Sequence, residues 1–248
     1  MKSSRSRAAG VFAAIVVAFV AVGALPGAAS AGLQGKSASQ IEAIALAAAK
    51  AKGSAHIVES GQFGPSSGTV TLDQSRVEGK EVDSGFTSGG NGTILFVKGV
   101  VYLKGDATYL TGIGLSAAQA STYAGQWISF QRGDTQYTML ADDETLVQTL
   151  KDGAPTAPLS KPVAARVGGQ KVLKAVGGVS STLTSEGVKG TNTAYVSDAP
   201  PYLPVGSVIK GTVGSLNVDV TTTLSKWGER VSLSVPAHST PAASIIGS

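Results

Sequence analysis

Beyond Gly53 the chain is written in short runs rich in Val, Ile, Thr, Tyr and Phe, parted by glycine-bearing turns of only a few residues. This spacing constrains the fold more than any other feature, because parallel strands need crossovers of a dozen residues or more and no such room exists. The first runs are Ala55 to Phe63, Gly68 to Gln74, Lys80 to Thr87, Thr93 to Lys98 and Val100 to Lys104. Turn signals stand between them at Gly64-Pro65, Glu78-Gly79 and Gly89-Gly90-Asn91-Gly92. An antiparallel meander is expected.

A second set of runs follows a Pro-rich stretch from Pro155 to Pro162. These are Lys161 to Val167, Lys171 to Val176, Thr193 to Ser197, Val205 to Thr212, Leu216 to Leu224 and Arg230 to Val235. In the fifth, Leu216, Val218 and Val220 alternate with Asn217, Asp219 and Thr221, which describes a strand with one wet face. The tail from Pro236 is small and polar apart from Ile245 and Ile246, and reads as a flexible segment, 237–248.

Helical patterning occupies two places. From Ser37 to Lys52, Ser37 or Ser39 offers a cap, Glu42 stands in the first turn, and Ile41, Ile44, Ala45 and Ala48 recur on one face. Gly53 supplies the stop. Between the two sets of strands, residues 106–151 read as a helical insert: Asp106 caps a helix through Ile113 and Ser116 one through Tyr123. Gly125 to Phe130 is extended, and Asp142 or Asp143 starts a further helix through Lys151, with Leu146, Val147 and Leu150 on one side. The expected class is α+β: a curved antiparallel half-barrel sheet with the N-terminal helix and the insert on its concave face.

The amino terminus reads as an export signal. Lys2, Arg5 and Arg7 precede an apolar run from Ala8 to Leu25, Pro26-Gly27 break it, and Ala29-Ser30-Ala31 suits a signal peptidase. Cleavage is expected near Ala31-Gly32, with an uncleaved anchor as the alternative, and leaves 217 residues with 17 Lys and Arg against 16 Asp and Glu. The domain is expected to span 32–236. These charges are scattered and form no basic stripe, so nucleic acid is not expected as a partner. The absence of cysteine excludes disulfides, thiolate metal sites and a thiol nucleophile.

Catalytic templates are missing. The two histidines, His56 and His238, stand apart, and no HExxH, GxSxG or phosphate loop occurs. Asp142, Asp143 and Glu144 suit a helix start, and no acid pair is singled out for hydrolysis. Asn91-Gly92-Thr93 matches a glycosylation sequon but reads as a hairpin turn. No enzyme, cofactor or metal site is expected.

The order of elements, with Val100 to Asp106, Tyr123 to Ile128, Ala199 to Pro204 and Leu224 to Leu233, resembles the mycobacterial and actinobacterial envelope lipoproteins of the LppX and LprG type. These are relatives of the LolA-type carriers. Gly32 stands where those proteins have a lipidated cysteine, so covalent anchoring does not carry over. The resemblance implies a non-catalytic carrier in the secreted or cell-envelope space, with only peripheral membrane contact. Its ligand would be a lipid, glycolipid or other apolar molecule held between sheet and helices. Residues placed to line such a space are Ile57, Phe63, Val70, Leu72, Phe86, Ile94, Phe96, Val101, Leu103, Tyr109, Leu110, Leu115, Tyr123 and Trp127. The alternative is an envelope scaffold with a filled core and a protein partner.

Overall fold

A computed structural model describes residues 32–85, 89–134, 136–141, 145–146, 149–150 and 154–246. The expected export segment, Phe86 and most of the helix expected over 142–151 lie outside the described residues.

The first helix, α1 (Ala38–Lys52), starts where expected. Ser37 accepts the Gln40 N–H while the Gln40 side chain accepts from the Ser37 N–H, a reciprocal cap, and Gly53 closes the helix at φ 80°. Its inward face differs from the expected one. Ala38, Ile41, Glu42, Ala45, Leu46 and Ala49 are buried, so Glu42 points into the protein, and with the helix starting at Ala38 it stands beyond the expected first turn. Both faces fit a 3.6-residue period, and packing chose between them.

Five antiparallel strands then run as a meander: β1 (Ser54–Phe63), β2 (Ser66–Ser75), β3 (Gly79–Ser84), β4 (Asn91–Val97) and β5 (Val100–Gly105). The insert follows, with α2 (Ala107–Gly112) capped by Asp106, α3 (Ala117–Tyr123) capped by Ser116, β6 (Ile128–Phe130) and α4 (Tyr137–Ala141). The second meander is β7 (Val163–Val167), β8 (Gln170–Gly178), a short α5 (Ser181–Ser185), β9 (Val188–Ser197), β10 (Pro204–Val213) and β11 (Leu216–Ser225). The chain ends in β12 (Thr240–Pro241) and α6 (Ala243–Ile246).

Pairing of β1 with β11 joins the two meanders into one open sheet in the order β12-β6-β5-β4-β3-β2-β1-β11-β10-β9-β8-β7. Every pairing is antiparallel except β12 with β6. The expected curved α+β half-barrel is what forms, and the described helices pack on a single face of it.

Three expectations need correction. Arg230 to Val235 forms no strand, because both edges of β11 are already taken by β1 and β10. It runs instead as a strap across the opposite, outer face, where Leu233 packs with Leu95, Val97 and Tyr102. The tail beyond Pro236 is not a free end. Thr240 donates to the Trp127 carbonyl at 2.8 Å, Ala242 to that of Ser129 at 2.8 Å, and Ala242 is 2% exposed inside the core. Finally, Asn91 and Gly92 open β4 instead of sitting in the turn, which ends at Gly90.

The Pro-rich stretch also has a defined place. Thr156 and Gly178 exchange backbone hydrogen bonds, and the Ser160 N–H donates to the Val176 carbonyl, so it runs beside β8 just before β7 does. Prolines tolerate such an edge because it leaves outward N–H positions unpaired anyway.

Candidate functional site

Register across the sheet decides what the concave face presents. One row runs Leu224, Ile57, Leu72, Glu81, Ile94, Leu103 and Ile128, each residue opposite the next on neighbouring strands. The adjacent row runs Ser207, Thr222, Glu59, Val70, Asp83, Gly92 and Gly105. On β3 the inward positions are therefore Gly79, Glu81 and Asp83, and that strand gives no apolar side chain to the floor.

As a result the concave core is divided. On one side Ile94, Val101 and Leu103 pack with Tyr109, Leu110, Leu115, Ile128 and Phe130 beneath α2, α3 and α4. On the other, Ile57, Val70, Leu72 and Leu224 pack with Leu46 and Ala49 of α1 and with Leu146 and Leu150. Phe63 belongs to a third cluster with Leu183 of α5, Ile209, Val218 and Val220.

Glu81 is 5% exposed and Asp83 2% exposed at the seam, with Glu59 buried nearby. Burial first, then the charges of Asp83 and Glu59, hold the Glu81 carboxyl well above the usual carboxylate range. Around it the Thr222 hydroxyl donates to Glu59 at 3.4 Å, and the Thr149 hydroxyl donates to Gln74 Oε1 at 2.5 Å. Thus a polar interior strip carrying buried acids runs between two apolar patches. Among the described residues no group of three or more His, Asp or Glu side chains is placed to hold a metal ion.

The α2 end of the cover is fitted closely. Asp106 accepts from the Tyr109 N–H at 2.8 Å and from the Asn91 N–H at 2.8 Å, which fixes the helix start against β4. The Tyr109 ring then lies on bare backbone: a Cβ at Gly92 or Gly105 would come within 2.3 or 2.5 Å of it. Tyr137 adds a hydrogen bond from its hydroxyl to the Gly99 carbonyl at 2.9 Å.

The residues expected to line one ligand space are thus distributed. Ile94, Val101, Leu103, Tyr109, Leu110 and Leu115, with Phe96 and Tyr123 partly buried, share the first cluster. Ile57, Val70 and Leu72 share the second, Phe63 the third, and Phe86 lies outside the described residues. Trp127 lies on the outer face, with Lys104 Nζ 5.9 Å from its ring centre, beside an open groove of about 590 Å³. Sequence reasoning missed Glu59, Glu81 and Asp83. The acids at Glu81 and Asp83 stand two apart and so share a face, but Val82 between them is the apolar residue, and taken alone it assigns the acids to solvent.

An open antiparallel half-barrel carrying its helices on the concave side defines the architecture. Within it the chain is similar to LprF from Mycobacterium bovis, at 18% identity over 82% of this chain and 100% of that one, with a TM-score of 0.47. It is likewise similar to the lipoprotein LppX from Mycobacterium tuberculosis, at 16% identity over 80% and 100% of the two chains, TM-score 0.48. A third likeness is to an uncharacterized conserved protein from Thermus thermophilus, at 11% identity over 83% and 98%, TM-score 0.44. These meet the resemblance read from the sequence, and at such values they carry no conclusion about activity. No family model matches the chain, and no curated protein matches it.

Proposed function

We propose that this protein is an exported, non-catalytic carrier that takes an apolar ligand, a lipid or glycolipid, between the concave face and its helical cover. The observation that supports this reading is the division of the concave core by the acids of β3. A cover that meets the floor through separate apolar patches can part along the polar strip while each patch stays intact. Acyl chains entering there would be stabilised by about 0.8 kcal/mol per buried methylene. The polar strip suits a ligand with hydrogen-bonding groups at one end. The charged, apolar and small-residue sequence of residues 1–31 supports passage to the extracytoplasmic space with removal of that segment. Membrane contact would then be peripheral.

The test is native mass spectrometry of the protein purified from its own host, with uptake of a fluorescent fatty acid as a second measurement. Added mass that extracts as lipid, and saturable uptake, are expected. Bare mass together with no uptake defeats the proposal. A second reading, an envelope scaffold, is favoured by the complete burial of Ile57, Val101, Leu103 and Leu110, which are 0% exposed as in an ordinary core. In that case crosslinking in the envelope captures a protein and the lipid measurements stay blank.

A further inference from the structure

The outer face of the sheet, opposite the helices, carries a cleft of about 310 Å³ where the strap passes over β1, β2 and β3. Its floor is a cross-strand row of His56, Asp73 and Lys80, each opposite the next, and its far wall is Lys226, Glu229 and Arg230. We propose that this cleft is a binding site for a phosphate-class oxyanion, held by Lys80, Lys226 and Arg230.

Three observations carry it. First, the cations are held apart from the acids beside them. Asp73 lies directly opposite Lys80 but turns to His56, whose Nδ1 donates to its Oδ1 at 2.7 Å. Among the described residues no carboxylate lies within ion-pair distance of Lys80, Lys226 or Arg230, although Asp73 and Glu229 line the same cleft. Three cationic residues line this space against two carboxylates, one of them already hydrogen-bonded to His56 on the same floor, which leaves the cleft with an excess of positive charge.

Second, the wall is built rather than loose. Ser54 donates its hydroxyl to the Glu229 carbonyl at 2.5 Å, and the Gly228 N–H donates to the Ser54 carbonyl at 3.0 Å. Lys226 is held at φ 49°, a left-handed conformation that side-chain-bearing residues avoid unless their surroundings impose it. Those bonds aim the start of the strap back over β1, instead of letting the chain leave the sheet.

Third, the donor chemistry fits the class. A guanidinium offers paired N–H groups that match two oxygens of a phosphate, while flexible lysines add charge from the other side. The volume exceeds what a bare phosphate requires, so the site has room for the first atoms of an ester substituent. None of this depends on a ligand beneath the helices, so this inference and the carrier reading stand or fall separately.

The test uses the chain from Gly32 onward, with calorimetric titration of inorganic phosphate and of glycerol 3-phosphate at low ionic strength. Cosedimentation with vesicles of phosphatidylcholine, with and without phosphatidic acid, runs in parallel. Saturable binding of either soluble anion, reduced tenfold or more in Lys80→Gln and in Arg230→Gln but unchanged in Lys189→Gln on β9, supports a site for free phosphate esters. Binding only to phosphatidic acid vesicles, with the same pattern across variants, supports a lipid headgroup as the source. Melting curves matching the wild type show that the variants are folded. No saturable binding in either arm, or equal losses in all three variants, overturns the proposal.

Discussion

Close contacts at single residues make the sharpest mechanical predictions. Gly92 and Gly105 face each other across β4 and β5, and the Tyr109 ring rests on both. A methyl group at Gly92 would stand 2.3 Å from ring carbons that are themselves buried among Leu110, Leu115 and Ile128. Gly92→Ala should therefore destabilise the fold by about 2 kcal/mol through overpacking. Gly32→Ala, where nothing lies within 4 Å, should leave stability unchanged. Urea unfolding checks the pair: a lowered midpoint with an unchanged slope is expected for the first alone. Equal midpoints for the two variants would show that the ring does not press on the sheet.

Secondary elements were legible to different degrees. Short runs rich in β-branched and aromatic residues, parted by glycine-bearing turns, located every strand of the two meanders, and the caps at Ser37, Asp106 and Ser116 located three helices, because those signals are local. Arg230 to Val235 carries the same strand-like composition, yet whether such a run pairs depends on a free edge elsewhere, which no local pattern records. The same holds for Glu42. Its neighbours allow two helix faces, and contact with β8 and β9 selected the one that buries it. Most of the residues expected to line a ligand space do face the concave side, in three separate clusters, while the acid strip that divides them was not legible, since Val82 gave the opposite cue. The strap and its end matter energetically as an element. Deleting residues 237–248 removes Ala242 and Ile245 from the first cluster and the backbone bonds to Trp127 and Ser129. A loss of about 2 kcal/mol is expected. Calorimetric melting of the truncated protein measures it, and an unchanged transition would mean the tail contributes nothing.

At the level of the whole molecule, buried acids set a pH dependence. Burial pushes Glu42 and Glu186 up to about 7, and Glu81 stands above the usual range from burial together with Asp83 and Glu59. One oxygen of Glu42 and one of Glu186 are buried without a hydrogen-bond partner, which agrees with neutral carboxyls there. In the unfolded chain these groups titrate near 4.5, so between that value and 7 the folded state binds more protons. Their contribution is complete below the unfolded value and is lost as pH rises through the folded one. Asp106 acts in the opposite sense: burial raises it, but hydrogen bonds from Tyr109 and Asn91 outweigh that and lower it, so its effect falls at more acid pH. The melting temperature should decline from about pH 5 to about pH 8, and Glu42→Gln should flatten the decline. A melting temperature that climbs over that interval would mean these carboxyls are charged in the folded protein.

Under the proposed export, with the amino end crossing first, the pairing of β1 with β11 has a further consequence. Residue 54 would emerge long before residue 225, so the first meander must wait with one rim bare until its closing strand has been threaded through. Such an arrangement would delay the final zipping of the sheet until β11 arrives. It also leaves a nascent edge that an extracytoplasmic chaperone, or an unwanted neighbour, could occupy in the interval.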